Sequence, residues 1–589
     1  MAEFIDLRPN KELLNANFKG YTLSLEPLPV YKHDLPVGVE HLCPSNEQFS
    51  YQHAKTFGYH NHLYSDPWNT EFAFYMSKDL QVFRASILSL TGQNPKIEGV
   101  GNIPRPRGSQ FFNASLSFSS PTLAIASDGG GSLFILDTHD RSLSNPILWQ
   151  VKIFGKEKPF QVLHSYLDET EKDGSLDLHV LLLRVQAYDD VETQVPLSAL
   201  GFIARETPFI TTIEYVTFSN RTGHWAFKQL KRIAVPRQID YASILSPGKS
   251  LCFIAQEPLA IIYDSYQSIK VPQSDITDEP IYQWYEDPEE VKLWLSFDKN
   301  TSKRDVAVEI TNTSIKVTYK DQVKVQGNLF EKISTDSSLW TLSDGKLEII
   351  LSKCVKALDW DCLIQHDSAG MKVSDAQAAH EWHQRLINRT TEEMETGRAP
   401  LFLNDEFEEC DSVSDEMILF RFDAESNQFS HKAFLGSHKL LFTTTPASNA
   451  APAFCLRDGV DGLIWQPMAD EELVENENKW GCRHTTALHA FGYIQASKEH
   501  RKFTVCPPNN MYVAVCDVLR HVYIYRQPGC PSTGVQMVHR PSGRRIANVA
   551  RSQLLSFDHN EEFLGTLATD AFLVILTASS LTAVRINDD

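Results

Sequence analysis

Six times along this 589-residue chain, an apolar run of β character meets a tight polar turn and gives way to a second apolar run. The copies span 72–83 around Asp79, 123–136 around Asp128-Gly-Gly-Gly131, and 251–263 around Gln256-Glu-Pro. They continue at 453–465 around Asp458, 512–525 around Asp517, and 563–586 around Asp570. Near-continuous apolar strands of this length are covered on both faces in a fold, so no such hairpin is stable alone. Each needs a neighbour on either side.

The turn centres are regularly spaced. Asp79 to Gly129 is 50 residues, Asp458 to Asp517 is 59, and Asp517 to Asp570 is 53. Gly129 to Gln256 is 127, about two units, which leaves room for one further copy between His179 and Phe218. About seven copies result, each longer than the ~40–45 residues of a WD-type blade. A seven-bladed β-propeller accounts for the pattern, because small sheets bury their faces only when neighbours close a ring. Irregular hairpins in two sandwiches are the alternative; regular spacing on both sides of the centre favours the ring.

The ring is expected to be discontinuous: about four blades in residues 1–270 and about three in 412–589. Between them, 282–366 reads as a compact antiparallel β-sandwich. Val291, Leu293, Leu295 and Phe297 alternate at the strand period of two, as do Val306, Val308, Ile310 and Ile315, Val317, Tyr319. Four of the ten tryptophans fall here. Residues 271–281, an acidic stretch bracketed by Pro272 and Pro280, form the entry linker. The return path, 367–411, combines a short helix with an acidic run. Ser374-Asp-Ala-Gln377 is a capping box, followed by Ala379, Trp382, His383, Leu386 and Ile387 at helical spacing. Ser412 and Ser414, flanked by acids, are candidate phosphorylation sites.

Composition narrows the partners. Fifty-five basic against 75 acidic residues give a net charge of −20, which repels phosphate backbones, and no dense Lys/Arg stripe offsets it. Nucleic acid is therefore not an expected partner. No apolar stretch reaches the ~18 residues of a membrane span, and the N-terminus lacks the pattern of a signal peptide. Ten cysteines are scattered without a C-x-x-C pair, which fits a reducing compartment. The expected location is the cytoplasm, with the nucleus as a second.

Chemical motifs fail on inspection. Ser243-Ile-Leu-Ser-Pro-Gly248-Lys-Ser250 ends like a phosphate loop but lacks its first glycine and leads into a strand. Asp128-Gly-Gly-Gly131 joins strand to strand, so it offers no helix N-terminus for a pyrophosphate. His380-Glu-Trp-His383 spaces its histidines three apart, not four as a zinc helix requires. His53, His60 and His62 have no cysteine or acid at ligand spacing. A propeller enzyme would need ionisable groups converging in the channel, and His33, His60 and Asp128 cannot be placed there from sequence. No catalytic residue, metal or cofactor is expected.

The central segment resembles the CS domain of the NudC family. The likeness rests on Tyr282-x-Trp284, Lys303-x-Asp305-Val306, Gly327-x-Leu329 with Ile333, Ser338-x-Trp340-x-Leu342, Leu347-x-Ile349-x-Leu351-x-Lys353 and Trp360. Where the family often has Gln-Thr after the first Trp, this chain has Glu286-Asp287. The resemblance extends outside the module, at 21–29, 455–467, 491–498 and 522–528. It implies a non-catalytic cochaperone-like adaptor whose partners are proteins, the heat-shock protein 90 chaperone and β-rich clients among them. A second reading is a propeller scaffold without chaperone activity, tied to transport or nuclear-movement machinery. Tyr282, Trp284, Gly327, Leu329, Trp340 and Trp360 are the expected signature and core residues. If Val291 and its alternates face the core, Lys292, Trp294 and Ser296 face outward and are the candidate partner-binding residues. The ring or the 374–388 helix would otherwise cover Trp294.

Overall fold

In a computed structural model of the chain, residues 2–269, 282–372 and 417–587 are described, with short breaks inside each span. The chain divides into two units: Met1–Val271 with Ser412–Asp589, and Pro272–Asp411.

The first unit is a seven-bladed β-propeller. Blade 1 comprises Leu63–Ser65, Phe72–Met76, Gln81–Ser86 and Ile97–Asn102; blade 2, Ser115–Ser120, Leu123–Ser127, Ser132–Asp137 and Gln150–Lys156. Blade 3 holds Gln161–Asp168, Leu176–Ala187, Phe209–Asn220, Trp225–Val235 and an added Ala260–Asp264. Blade 4 holds Ile239–Leu245, Ser250–Ala255, Met417–Asp423 and Gln428–Gly436. Blade 5 follows with Leu440–Thr444, Ala453–Asp458, Asp461–Pro467 and Cys482–Leu488, and blade 6 with Arg501–Val505, Tyr512–Asp517, His521–Arg526 and Arg551–Ser556. Blade 7 takes Gly565–Ala568, Phe572–Leu576 and Ser580–Arg585 from the C-terminus and Val30–Asp34 from the N-terminus.

What closes the ring is a set of shared cores, one between each pair of neighbours from 1/2 around to 7/1. Strand alternation divides each blade between two of them. In blade 4, Leu251 and Phe253 enter the core shared with blade 3, while Cys252 and Ile254 enter the one shared with blade 5. All four are buried. Each buried Leu, Ile or Phe of this set contributes ~1.5–3 kcal/mol only when the neighbouring blade that it faces is present. A buried Arg141 adds to the blade 1/2 junction by gripping both oxygens of Asp66 at 2.7 and 3.0 Å.

Six of the seven second-to-third strand turns are short or carry a local loop, and the seventh carries the second unit. Leu176–Ala187 and Phe209–Asn220 pair over their whole lengths, so the copy between His179 and Phe218 is a true hairpin. The 251–263 reading is different. Ser250–Ala255 pairs with Met417–Asp423, from Ser250↔Asp423 to Ala255↔Ile418, and the expected partner Ala260–Asp264 crosses to the outer edge of blade 3. The insertion therefore splits a blade. Three complete sheets and half of blade 4 precede it, where sequence spacing suggested four blades before and three after.

The turn at Asp128 shows why a glycine run joins two strands here. The Asp128 carboxylate accepts from Gly130 N (2.8 Å) and Ser132 N (3.0 Å), while Gly129 takes φ +74°. A Cβ on Gly129 would sit 2.0 Å from the Phe112 carbonyl oxygen. This turn is structural.

An N-terminal strap crosses the outer edges of blades 4 to 7. Glu3–Phe4 pairs parallel with blade 4, Thr22–Leu23 pairs parallel with blade 6, and Val30–Asp34 completes blade 7 antiparallel.

The second unit is a β-sandwich. One sheet orders Ile333–Ser343, Lys346–Lys353, Glu290–Ser296, Tyr282–Glu286 and Gly370–Lys372; the other orders Val306–Ile310, Ser314–Tyr319 and Gln322–Asn328. Gly370–Lys372 runs parallel to Tyr282–Glu286, so the sheet continues past residue 366, where the sequence reading ended it. Its edge pairs with chain from the return path. The 374–388 helix, the 271–281 linker, His380, His383, Ser412 and Ser414 lie outside the described residues.

A triad of buried Lys231 and Asp264 with half-buried Asn427 links residues on either side of the insertion. Lys231 Nζ donates to Asp264 Oδ2 at 2.7 Å and to Asn427 Oδ1 at 2.5 Å, and Asn427 Nδ2 donates to Asp264 Oδ2 at 2.7 Å. Asp264 precedes the insertion and Asn427 follows it. Burial alone would raise the Asp264 carboxyl, but hydrogen bonds from Asn427, Lys231 and the Tyr266 amide hold it down at about 2. Its stabilisation is complete above the ordinary value of 3.8 and is lost as pH falls from there toward 2. Asp264→Asn leaves Lys231 buried without a counter-charge and is expected to cost ~3–5 kcal/mol at neutral pH. Urea unfolding at pH 7 and across the acid window checks both parts, because the variant should also lose that share of acid sensitivity.

Candidate functional site

The second unit's first hairpin carries two of the candidate partner-binding residues, Lys292 and Trp294. Glu290–Ser296 lies centrally, paired with Tyr282–Glu286 on one side and Lys346–Lys353 on the other. Val291, Leu293 and Leu295 point into the core with Tyr282, Trp284, Leu347, Ile349 and Leu351, all buried. Phe297 packs at its margin. The alternate side chains occupy the opposite face.

Two cross-strand rows define that face. Gln283, Trp294, Glu348 and Thr341 stand in register, and beside them Tyr285, Lys292, Ile350 and Leu339. Trp294 is half-buried, and its indole Nε1 donates to Glu348 Oε1 at 2.9 Å. This bond fixes the ring's orientation on the face that also carries Ile350. Leu339 is 50% exposed, a large apolar residue at the edge of the row. Lys292 Nζ lies 3.9 Å from both Asp287 and Glu290, a loose surface grouping. An anchored aromatic with aliphatic neighbours and a charged border has the make-up of a protein-binding hot spot. The Ser296 side chain lies outside the described residues. Tyr285, Ile350 and Leu339 escaped the sequence reading, although strand pairing with the Trp294 strand would have pointed to them.

The signature residues hold this face in place from behind. Trp360 and Leu329 are buried in the same core, and Leu329 bridges to Ile364. Gly327 is required because a Cβ there would lie 2.3 Å from the Ile364 methyl carbon Cγ2. Trp340 is only partly buried at the core margin, with Lys303 Nζ 5.7 Å from its ring centre. Glu286, which differs from the usual family residue, points inward. It pairs with the buried Lys353 and accepts the Trp360 amide at 2.9 and 3.0 Å. Asp287 shapes the hairpin turn by accepting from the amides of Glu289 (2.9 Å) and Glu290 (2.7 Å).

In the propeller, the positions tested for catalysis separate. His33 lies on the outermost strand of blade 7 and meets the Leu90 carbonyl at 2.7 Å. His60 lines a channel cavity of about 580 Å³, along with His164, Tyr166, Ser115 and Ser117. Burial lowers His60 to about 3 and His164 to about 4, so both are neutral at physiological pH. His60 meets Gln161 at 3.2 Å and the Ala114 carbonyl at 3.1 Å. His53 is buried in the helix Tyr51–Gly58, bonded to its N-cap Ser50 at 2.7 Å. Among the described residues, no group of three or more His, Cys, Asp or Glu is arranged to hold a metal. No described helix is long and apolar enough to cross a membrane.

One domain family, one curated relative and two solved structures are similar to all or part of this chain. The CS domain family matches residues 280–353, ending before Trp360, Leu363 and Ile364 complete the core. NudC domain-containing protein 1 from Mus musculus is 30% identical over 597 residues, covering 99% of each chain. Among solved structures, the CS domain of the human KIAA1068 protein is 27% identical with a TM-score of 0.15, covering 15% of this chain and 77% of that one. Sqt1 from Chaetomium thermophilum is 10% identical with a TM-score of 0.33, covering 90% and 96%. The seven sheets and their shared cores define the ring. A β-propeller with a CS domain set into one hairpin turn is the class of protein that this fold defines. The chain belongs to the NudC domain-containing protein 1 family.

Glu286→Gln is expected to destabilise the protein by ~3–5 kcal/mol, because Lys353 loses its buried counter-charge. The double variant Glu286→Gln/Lys353→Met should recover most of that loss. Urea unfolding of the wild type, both single variants and the double variant checks the coupling.

Proposed function

We propose that this protein is a non-catalytic, cochaperone-like adaptor. Its CS unit engages a chaperone or an unfolding client through the Trp294 face, and its ring holds a second protein. The observation that carries this reading is the outer face on which Trp294, Tyr285, Ile350 and Leu339 stand, interleaved with Lys292 and Glu348. Burying a Trp-centred face of this kind against a partner releases water from apolar surface while the interleaved charges set orientation. The family resemblance supplies the candidates: the heat-shock protein 90 chaperone and β-rich clients.

The protein should suppress aggregation of a β-propeller client without ATP. Trp294→Ala should weaken this at least tenfold in effective concentration, since a Trp anchor of ~2 kcal/mol is worth about thirtyfold in affinity. Light scattering during thermal aggregation measures it. Equal scattering with and without wild-type protein would sink the chaperone reading. Affinity capture with 272–411 excised then separates the two units: unchanged partners would identify the ring as the recognition element and favour the scaffold reading.

A further inference from the structure

The N-terminal strap occupies a surface built like a peptide-binding track. Ile5, Leu7 and Leu13 pack against the blade 4/5 core, Tyr21 against the 5/6 core and Leu28 against the 6/7 core. One anchor or anchor group thus enters each successive groove. Between anchors, the rim bonds the strap backbone. Ile5 N donates to the Lys432 carbonyl (2.9 Å), Asn10 N to His484 Nδ1 (3.0 Å), and Thr22 N to the Ala550 carbonyl (2.9 Å). Ser24 N donates to the Ser552 carbonyl at 2.8 Å. Tyr21 is held most firmly. Its hydroxyl donates to the His489 carbonyl at 2.7 Å and accepts from Gln527 Nε2 at 2.9 Å. Toward its end the strap is charge-matched, with Glu26 3.6 Å from Arg551; Glu3 lies 3.7 Å from His431, which burial keeps from protonating readily.

The occupancy is nonetheless shallow. Among the described residues of 2–34, none is fully buried. The parallel ladders with blades 4 and 6 are two residue pairs each. The shared cores beneath consist of fully buried side chains contributed by the blades themselves. A segment with few buried contacts and short ladders opens at a small fraction of the global unfolding free energy.

We infer that the outer rim of blades 4–6 is a peptide-docking track, filled in cis by residues 3–15 and 18–28. The partner it fits is an extended, mildly acidic segment with leucine and tyrosine anchors. Such a segment adds backbone hydrogen bonds to the sheet edges and side chains to the grooves, as strand-addition ligands do. Covalent attachment gives the strap an effective concentration on the order of millimolar, so a partner binds only when the strap is released.

The test uses the full-length protein with a protease site inserted between Leu28 and Pro29, cut after folding. A fluorescein-labelled peptide of residues 2–28 is then added and its anisotropy followed. Exchange into the cut protein, with at least 100-fold weaker binding to the uncut protein, supports the track. A Tyr21→Ala peptide should bind at least tenfold more weakly, and a scrambled peptide should not bind. Retention of the cut strap without exchange overturns the inference. So does equal binding of the scrambled peptide, or loss of the β circular-dichroism signal on cutting, which would make the strap an integral part of the fold.

Discussion

Every blade of the ring depends on its neighbours to cover both of its faces. A four-stranded sheet whose side chains alternate between two apolar faces cannot be stable in water until a sheet lies against each face. Leu251 and Phe253 serve one junction, Cys252 and Ile254 the next, and the same division recurs around all seven shared cores. The ring thus has no dispensable blade. It also forces strands from opposite sides of the insertion to meet, because blade 4 covers two neighbours only as a complete sheet.

That requirement explains where the CS unit sits in the chain. A second-to-third strand turn is a position at which the two chain ends are already adjacent, as the Ala255↔Ile418 pair shows. A folded unit with neighbouring ends can replace a short turn without distorting the ladder. The Asp264–Lys231–Asn427 triad fastens the chain just outside that ladder on both sides. The CS unit meanwhile has its own core, closed by Trp360 and Leu329 and braced by the Glu286–Lys353 pair. The face that carries Trp294 is supported from behind by buried residues.

Much of this was legible in the sequence. The turns at Asp79, Asp128, Asp458, Asp517 and Asp570 mark true hairpins, because continuous apolar runs and turn chemistry are local properties. The alternation in 291–297 placed Val291, Leu293 and Leu295 inward, and Trp294 with Lys292 outward. The reading of 251–263 failed for a physical reason. Ala260–Asp264 has the length and pattern of a hairpin's second strand, and nothing local reveals that its hydrogen bonds go to Trp225–Val235. The pairing of Ser250–Ala255 with Met417–Asp423, across more than 150 residues, likewise leaves no trace in either strand alone. The role of Glu286, a departure from the family pattern, was not legible either, because only the fold brings Lys353 and the Trp360 amide to it.

The opening repeats therefore determined a great deal by themselves: an all-β chain, about seven units, and a separate β-module between them. Periodicity and turn residues act over a few positions, and they survive in the sequence as pattern. The tertiary structure alone decided which strand completes which blade, where the strap lies, and which neighbours join Trp294 on its face. Those outcomes depend on contacts between residues far apart in the chain, where the physical condition is coverage of a surface rather than any local preference.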